Sequence, residues 1–179
     1  LPGYRFSAIA VPNPHLIAFV SKEQMESDDL GTLGKRLNSD NPYFTDGVNV
    51  NFGQILKPGE LFVRTYERGV GFTNACGTGM SATSLALLLT HPEAGEFDKP
   101  LTIYNPGGMV RTIVHHDVDR YWIELIGNAT FTHQITLHET QLHAGEFDPA
   151  AAEISETGEE AAYEKFVHSL PKVSNLQKY

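Results

Sequence analysis

The sequence has a single cysteine and a single tryptophan, and it has far fewer basic than acidic residues. Thirteen lysines and arginines against 22 aspartates and glutamates give a formal net charge of −9, which argues against nucleic acid or an anionic membrane as a partner. One cysteine cannot form an internal disulfide, which indicates a reducing, cytoplasmic location. No apolar run approaches the roughly 18 residues that a membrane-spanning helix needs.

The chain of 179 residues is about one domain long and can bury a core. Its first residues, LPGYRFSAIAV, show no charged segment followed by a long apolar one, so we expect no signal peptide. They also lack an initial methionine and begin within a strand-like pattern. We therefore expect the chain to be a piece of a longer protein.

Eight segments typical of strands lie within the first 139 residues. β-Branched and aromatic residues predict strands at 4–11, 15–21, 48–56, 61–68, 101–104, 110–116, 121–127 and 130–139. Leucine spacing predicts a surface helix at 28–40, whereas residues 80–91 are apolar on every side and predict a buried helix. The expected fold is α+β, with a mostly antiparallel sheet wrapped around that helix.

The composition changes near Ala144. From there to the end the chain has seven acidic and three basic residues and is rich in alanine. We expect one domain at 1–143, followed by an acidic tail at 144–179 that is helical or partly disordered and carries no chemistry.

The single cysteine lies in the sequence TNACGTGMSAT, directly before the buried helix. If that helix begins near Cys76 or Gly77, its first N–H groups and its dipole would stabilise an anion there, either a thiolate or a bound carboxylate. We therefore expect Cys76 to be partly exposed, with a lowered pKa and raised reactivity. The alternative is a small apolar side chain packed at a tight turn.

Other polar residues stand near this segment or at strand ends. Glu67 and Arg68 precede a glycine loop, Asn13 and His15 flank a proline corner, and Asn49 and Asn51 alternate on one strand. A histidine near a thiol can tune it, and two amides on one strand face can line a polar site. Each group has a structural alternative, namely a solvated hairpin end, a structural histidine or amides that face water.

Two pairs of histidines resemble metal-binding motifs, but in neither pair does the spacing place both side chains on one face. HETQLH, residues 138–143, places its histidines five apart, so they do not share a helix face. His115 and His116 are adjacent in a strand and point to opposite faces. We predict no metal site.

Three motifs together resemble the second half of the diaminopimelate epimerase family. They are N-P-H at 13–15, G-V-N-V-N-F at 47–52 and Y-E-R-G-V-G-F-T-N-A-C-G-T-G at 66–79. The resemblance covers roughly residues 8 to 130. It implies two similar halves, each a sheet around a central helix, with the active site between them. It also implies racemisation by two thiols without a cofactor.

The resemblance assigns a role to each matching residue. Cys76 matches one of the two acid/base thiols, and Gly77 and Thr78 match the residues whose N–H groups hold the reacting carboxylate. His15 and Glu67 match residues that tune the thiols, and Glu67 also lies near the substrate amino group. The residues that match those holding the distal end of the substrate are Asn13, Asn49 and Arg68.

The implied function is the interconversion of LL- and meso-diaminopimelate for lysine and peptidoglycan precursor synthesis. The implied partner is an N-terminal half that carries the second cysteine, and a homodimer is an open alternative. The chain departs from the family pattern at Pro12 and Phe72. The competing interpretations are a thiol nucleophile paired with His15 in acyl transfer, another cofactor-independent racemase, and a non-catalytic amino-acid-binding or scaffold module.

Overall fold

The computed structural model describes residues 3–146 and 148–175. Residues 1, 2, 147 and 176–179, some of which fall in the predicted tail, lie outside the described residues. The described residues form two compact units, 3–127 with 171–175, and 128–146 with 148–170. The first unit contains every residue that the sequence nominates for a site.

The first unit contains eight strands and three helices. The strands are β1 Ser7–Val11, β2 Asn13–Phe19, β3 Asn49–Lys57, β4 Glu60–Glu67, β5 Gly71–Thr73, β6 Pro100–Asn105, β7 Gly108–Asp117 and β8 Arg120–Ile126. The helices are α1 Lys22–Glu26, α2 Asp29–Leu37 and α3 Gly77–Thr90, with a 3-10 turn at Pro92–Ala94.

All eight strands belong to one sheet. Its order is β1-β2-β3-β4-β6-β7-β8, and β5 pairs with β4. β2 and β3 are parallel, as are β4 and β6, and the other neighbours are antiparallel. The prediction of a mostly antiparallel sheet is therefore confirmed.

Helix α3 forms the centre of this unit. It packs against β1, β2, β3, β4, β7 and β8, and its residues from Gly79 to Leu88 are buried. The helix has no polar face, so its buried hydroxyls bond to the carbonyl four residues earlier, as Thr83 does with Gly79 at 2.7 Å. The expected sheet around a buried helix is confirmed.

Among its described residues, the second unit has two short strands, two α-helices and a 3-10 turn at Pro149–Ala151. β9 His133–Thr136 pairs antiparallel with β10 Glu153–Glu156, and the helices are α4 Glu139–Ala144 and α5 Glu159–Ser169. The contact-based boundary follows Gly127, whereas the composition changes near Ala144. The proposed division into a domain at 1–143 and a tail at 144–179 stays a prediction.

Candidate functional site

Cys76 is the N-cap residue of α3, directly before the first helical residue, Gly77. Its φ of −133° and ψ of 102° are extended, and its carbonyl accepts the first intrahelical hydrogen bond, from Met80 N at 2.9 Å. Gly77 and Thr78 precede that bond, so their N–H groups lack intrahelical partners. The hydrogen bonds found among the described residues include none from these two groups. They lie at the positive end of the helix dipole.

The Thr78 hydroxyl joins the thiol to strand β2. Its oxygen lies 3.7 Å from Cys76 Sγ, 3.1 Å from His15 Nε2 and 3.3 Å from Asn13 Nδ2. Asn13 and His15 are two residues apart on β2, so both project from the same face of the strand. Four of the predicted site residues therefore form one hydrogen-bonded group, the Thr78 cluster, which consists of Asn13, His15, Cys76 and Thr78.

A buried pair on β3 and β4 supports this cluster from behind. Asn51 Nδ2 lies 3.1 Å from His15 Nδ1, and Thr65 donates its hydroxyl to Asn51 Oδ1 at 2.8 Å. Asn51 and Thr65 pair directly in the sheet and are almost fully buried. The motifs give neither residue a role, although the sequence offers Asn51 as one of two amides on one strand face. The alternation of Asn49 and Asn51 was the available signal, because it placed both on one face.

Glu67, at the end of β4, lies within electrostatic reach of the cluster. Its carboxylate accepts a hydrogen bond from the Thr73 hydroxyl at 2.6 Å. Its negative charge adds to the rise that burial causes in the pKa of Cys76, and it partly opposes the larger fall that burial causes in the pKa of His15. Glu67 is therefore placed where it can tune both groups.

Asn49 and Arg68 form a second group beside the cluster. Asn49 is buried, and its side-chain oxygen accepts the Arg68 backbone N–H at 2.8 Å. The Arg68 side chain is exposed, and its Nη1 donates to the Asp46 carbonyl at 2.9 Å. No hydrogen bond found among the described residues joins the Arg68 guanidinium to the Thr78 cluster.

The expectation of a partly exposed Cys76 with a lowered thiol pKa is wrong for this chain. The residue is 8% exposed, and burial raises the pKa of its thiol, with the nearby Glu67 adding to the rise. The Gly79 N–H and the Thr78 hydroxyl stabilise the thiolate and oppose this effect. The effect of burial is larger, because removing a thiolate from water costs more free energy than these two hydrogen bonds supply.

His15 is held as a neutral imidazole. It is 1% exposed, and burial lowers its pKa to about 4, although Glu67 and the hydrogen bond from Asn51 act in the opposite direction. Removing a cationic group from water disfavours its charged form. His15 therefore supplies a fixed donor and a fixed acceptor rather than a positive charge.

The two departures from the family pattern lie at different places in the fold. Pro12 stands between β1 and β2, one residue before Asn13. Phe72 on β5 packs edge-on against Tyr66, and Arg64 lies over its ring at 4.1 Å. Phe72 thus forms part of an aromatic and cationic contact outside the Thr78 cluster.

Within residues 3–146 and 148–175, no three histidine, cysteine, aspartate or glutamate side chains gather as metal ligands would. His138 caps α4, and His143 lies 3.4 Å from Glu139 on the same helix. None of the helices in the described part of the chain is both long and apolar enough to cross a membrane.

Most of the chain is similar in sequence to one family of known proteins. The sequence model of a family described as diaminopimelate epimerase matches residues 7–132. A diaminopimelate epimerase of Lactiplantibacillus plantarum is 52% identical over 170 residues, covering 94% of this chain and 51% of the relative. One from Ligilactobacillus salivarius is 53% identical over 168 residues, covering 93% of this chain and 51% of the relative.

The solved structures are more distant. A phenazine biosynthesis protein of Bacillus anthracis aligns with 74% of this chain and 41% of its own, at 16% identity and a TM-score of 0.45. The chain spans about half the length of the curated relatives that it matches.

Proposed function

The chain belongs to the diaminopimelate epimerase family, and from that premise we propose that it is the C-terminal half of an enzyme that interconverts LL- and meso-diaminopimelate. The observation that carries the proposal is the cluster of Cys76, Thr78, His15 and Asn13 at the start of α3. The reaction uses no cofactor and serves lysine and peptidoglycan precursor synthesis in the cytoplasm.

The α-carboxylate of the substrate binds at the start of α3. The N–H groups of Gly77 and Thr78 have no intrahelical partner and lie at the positive end of the helix dipole. A helix N-terminus of this kind binds carboxylates. The α-carbon of a substrate held there would lie beside Cys76, the residue that caps the helix.

Inversion at the α-carbon needs a base on one face and an acid on the other. Cys76 is the only cysteine in the chain, so the second thiol comes from the complementary half. This agrees with relatives about twice as long as the chain. Because burial raises the pKa of Cys76, it rests as a thiol in this chain and begins as the acid.

When Cys76 is the acid, the thiolate of the complementary half removes the α-hydrogen as a proton. The electron pair of the C–H bond stays on the substrate as a carbanion. Cys76 then protonates the opposite face and becomes a thiolate. In the reverse direction the Cys76 thiolate is the base. The Thr78 hydroxyl and the Gly79 N–H stabilise this charged form.

The remaining predicted residues bind the other polar groups of the substrate. The Glu67 carboxylate attracts the α-ammonium group, while Asn13, Asn49 and Arg68 hold the distal amino-acid end. The exposed guanidinium of Arg68 is free of any carboxylate partner among the described residues, and it suits a bidentate contact with the distal carboxylate. Holding that end orients the reacting end.

The acyl-transfer alternative needs a cysteine paired with an imidazolium. His15 does not meet that requirement, because its ring nitrogens face Thr78, Asn13 and Asn51, and burial lowers its pKa to about 4. The geometry favours a thiol that exchanges protons over one that forms a covalent adduct.

A mixing experiment tests the proposal. The chain is incubated with LL-diaminopimelate alone and then with the N-terminal half of the same enzyme, and the meso form is measured by chiral chromatography. We expect no conversion by the chain alone and conversion when both halves are present. Efficient epimerisation by the chain alone would contradict the assignment of two thiols to two halves.

A further inference from the structure

We propose that Asn51 and Thr65 are positioning residues that fix the tautomer of His15 and so direct the Thr78 hydroxyl proton towards Cys76. The inference deepens the proposed function and rests on it, because it concerns how the acid/base thiol is prepared. It arises from a chain of hydrogen bonds that crosses three strands and ends at the first turn of α3.

The sheet register brings the three strand residues together. β2 and β3 are parallel, and His15 lies opposite Asn49, two residues before Asn51. Asn51 lies opposite Thr65 in the antiparallel pair of β3 and β4. His15, Asn51 and Thr65 are 1%, 0% and 4% exposed. Water therefore does not compete for their polar atoms, and each atom must find its partner within the protein.

The amide of Asn51 has one orientation that satisfies its neighbours. Its nitrogen lies 3.4 Å from the Asn49 backbone carbonyl, which can only accept a hydrogen bond. The oxygen then faces the Thr65 hydroxyl at 2.8 Å, and the nitrogen also faces His15 Nδ1 at 3.1 Å. A flipped amide would set its oxygen against the Asn49 carbonyl oxygen.

The amide orientation decides the tautomer of His15. Because Asn51 donates to Nδ1, that nitrogen is the acceptor and the imidazole proton lies on Nε2. Nε2 then donates to Thr78 Oγ1 at 3.1 Å, with Asn13 Oδ1 at 3.3 Å as a second acceptor. The low pKa of His15 agrees with a neutral ring.

The hydrogen bonds that Thr78 accepts set the direction in which its hydroxyl proton points. Its oxygen accepts hydrogen bonds from His15 Nε2 and from Asn13 Nδ2. With both acceptor positions of the hydroxyl used, its own proton points to Cys76 Sγ, 3.7 Å away. The opposite tautomer would make Nε2 an acceptor and take the Thr78 proton away from the sulfur.

The His15 tautomer is measured directly by long-range ¹H–¹⁵N correlation in the 179-residue chain labelled with ¹⁵N-histidine. The signal is assigned by its loss in His15→Gln. We expect the Nε2–H tautomer in the wild-type chain and in Thr65→Ser, which keeps the hydroxyl. We expect Asn51→Asp to give the Nδ1–H tautomer at alkaline pH, because a carboxylate only accepts.

Thiol alkylation by iodoacetamide tests the effect on Cys76, with Asn49→Asp as the matched control. That variant adds the same charge on the same strand and keeps the Asn51 amide. At a pH below the raised pKa of the thiol, where the rate follows the small thiolate fraction, we expect Asn51→Asp to react about tenfold more slowly than Asn49→Asp, which corresponds to a rise of about one unit in the thiol pKa. Equal rates would overturn the coupling between His15 and Cys76.

Two further results would overturn the tautomer assignment. One is an Nδ1–H tautomer in the wild-type chain, which remains decisive even if Asn51→Asp does not fold. The other is an unchanged Nε2–H tautomer in a folded Asn51→Asp chain. Neither measurement uses epimerase activity, so each outcome bears on this inference and leaves the proposed function to its own test.

Discussion

The close approach of α3 to strand β3 predicts a large effect for the substitution Gly79→Ala. A Cβ at Gly79 would lie 2.4 Å from Asn51 Oδ1, 3.1 Å from Thr65 Oγ1 and 3.2 Å from Cys76 Sγ. Asn51 is fully buried and hydrogen-bonded at both ends of its amide. It cannot move without breaking the bond to His15 or the bond to Thr65.

The size of the effect follows from three contributions. Overpacking a buried site costs about 1–3 kcal/mol, and losing one buried hydrogen bond costs about 1 kcal/mol more. Alanine gains up to about 1 kcal/mol over glycine in a helix. We therefore expect Gly79→Ala to lower the free energy of unfolding by about 2 kcal/mol.

Gly31→Ala is the matched control, because Gly31 is also the third residue of its helix. Its added Cβ would meet two ring atoms of Phe72 at 3.2 Å, and Phe72 is 48% exposed, so a small shift of its ring towards solvent relieves the contact. We expect Gly31→Ala to change the free energy of unfolding by no more than about 1 kcal/mol. The free energies of both variants are measured by urea denaturation followed by circular dichroism. Equal stability of the two variants would refute the constraint that Asn51 imposes on α3.

Three other predictions concern pH, substrate selection and the tail. The folded pKa of His15 is about 4, below its unfolded value, so the unfolded chain binds the extra proton. Stability should fall by about 3 kcal/mol as pH falls from about 6.5 to about 4, and His15→Gln should lose this part of the pH dependence in urea titrations. In the complete enzyme, Arg68→Ala should weaken selection for a distal carboxylate by about 2 kcal/mol, judged by kcat/KM against an analogue without it. Arg68→Lys should recover only part of this. Deleting 144–179 should leave the epimerisation rate within a few-fold if the protein stays folded, and a large loss would give the tail a part in catalysis.

The main elements of the first unit are predictable because each has a strong local signal. Helix α3 follows from an apolar sequence without a polar face, and the β3–β4 hairpin follows from its turn, in which Gly59 has a φ of +81°. The short elements β5 and β10 lack such a signal, and α1 has only the capping box formed by Ser21 and Gln24. The parallel pairing of β2 with β3 is likewise absent from the sequence pattern, because strand periodicity gives neither a partner nor a direction.

The missing information on strand pairing also explains which parts of the site the sequence does not predict. Motifs identify Cys76, Thr78 and His15, which the structure brings into one cluster. The bond from Asn51 to His15 depends on the β2–β3 register, which the motif does not contain. The burial of Cys76 depends on tertiary packing at the first turn of α3, where a Cβ on Gly77 would lie 2.8 Å from Leu125 of β8. A helix N-terminus alone therefore predicted the wrong direction for the thiol pKa.

Deuterium incorporation tests the central claim, that Cys76 is one of two acid/base thiols acting on opposite faces of the α-carbon. The chain and its complementary half are incubated with LL-diaminopimelate in D₂O, and the products are analysed by chiral chromatography and mass spectrometry. Ser84→Ala is the control, since Ser84 is buried on the same helix and bonds to Met80 and Thr112, outside the cluster. We predict meso product carrying deuterium at the inverted carbon for the wild-type and control proteins, and no meso product for Cys76→Ala. Undiminished epimerisation by Cys76→Ala would contradict the account.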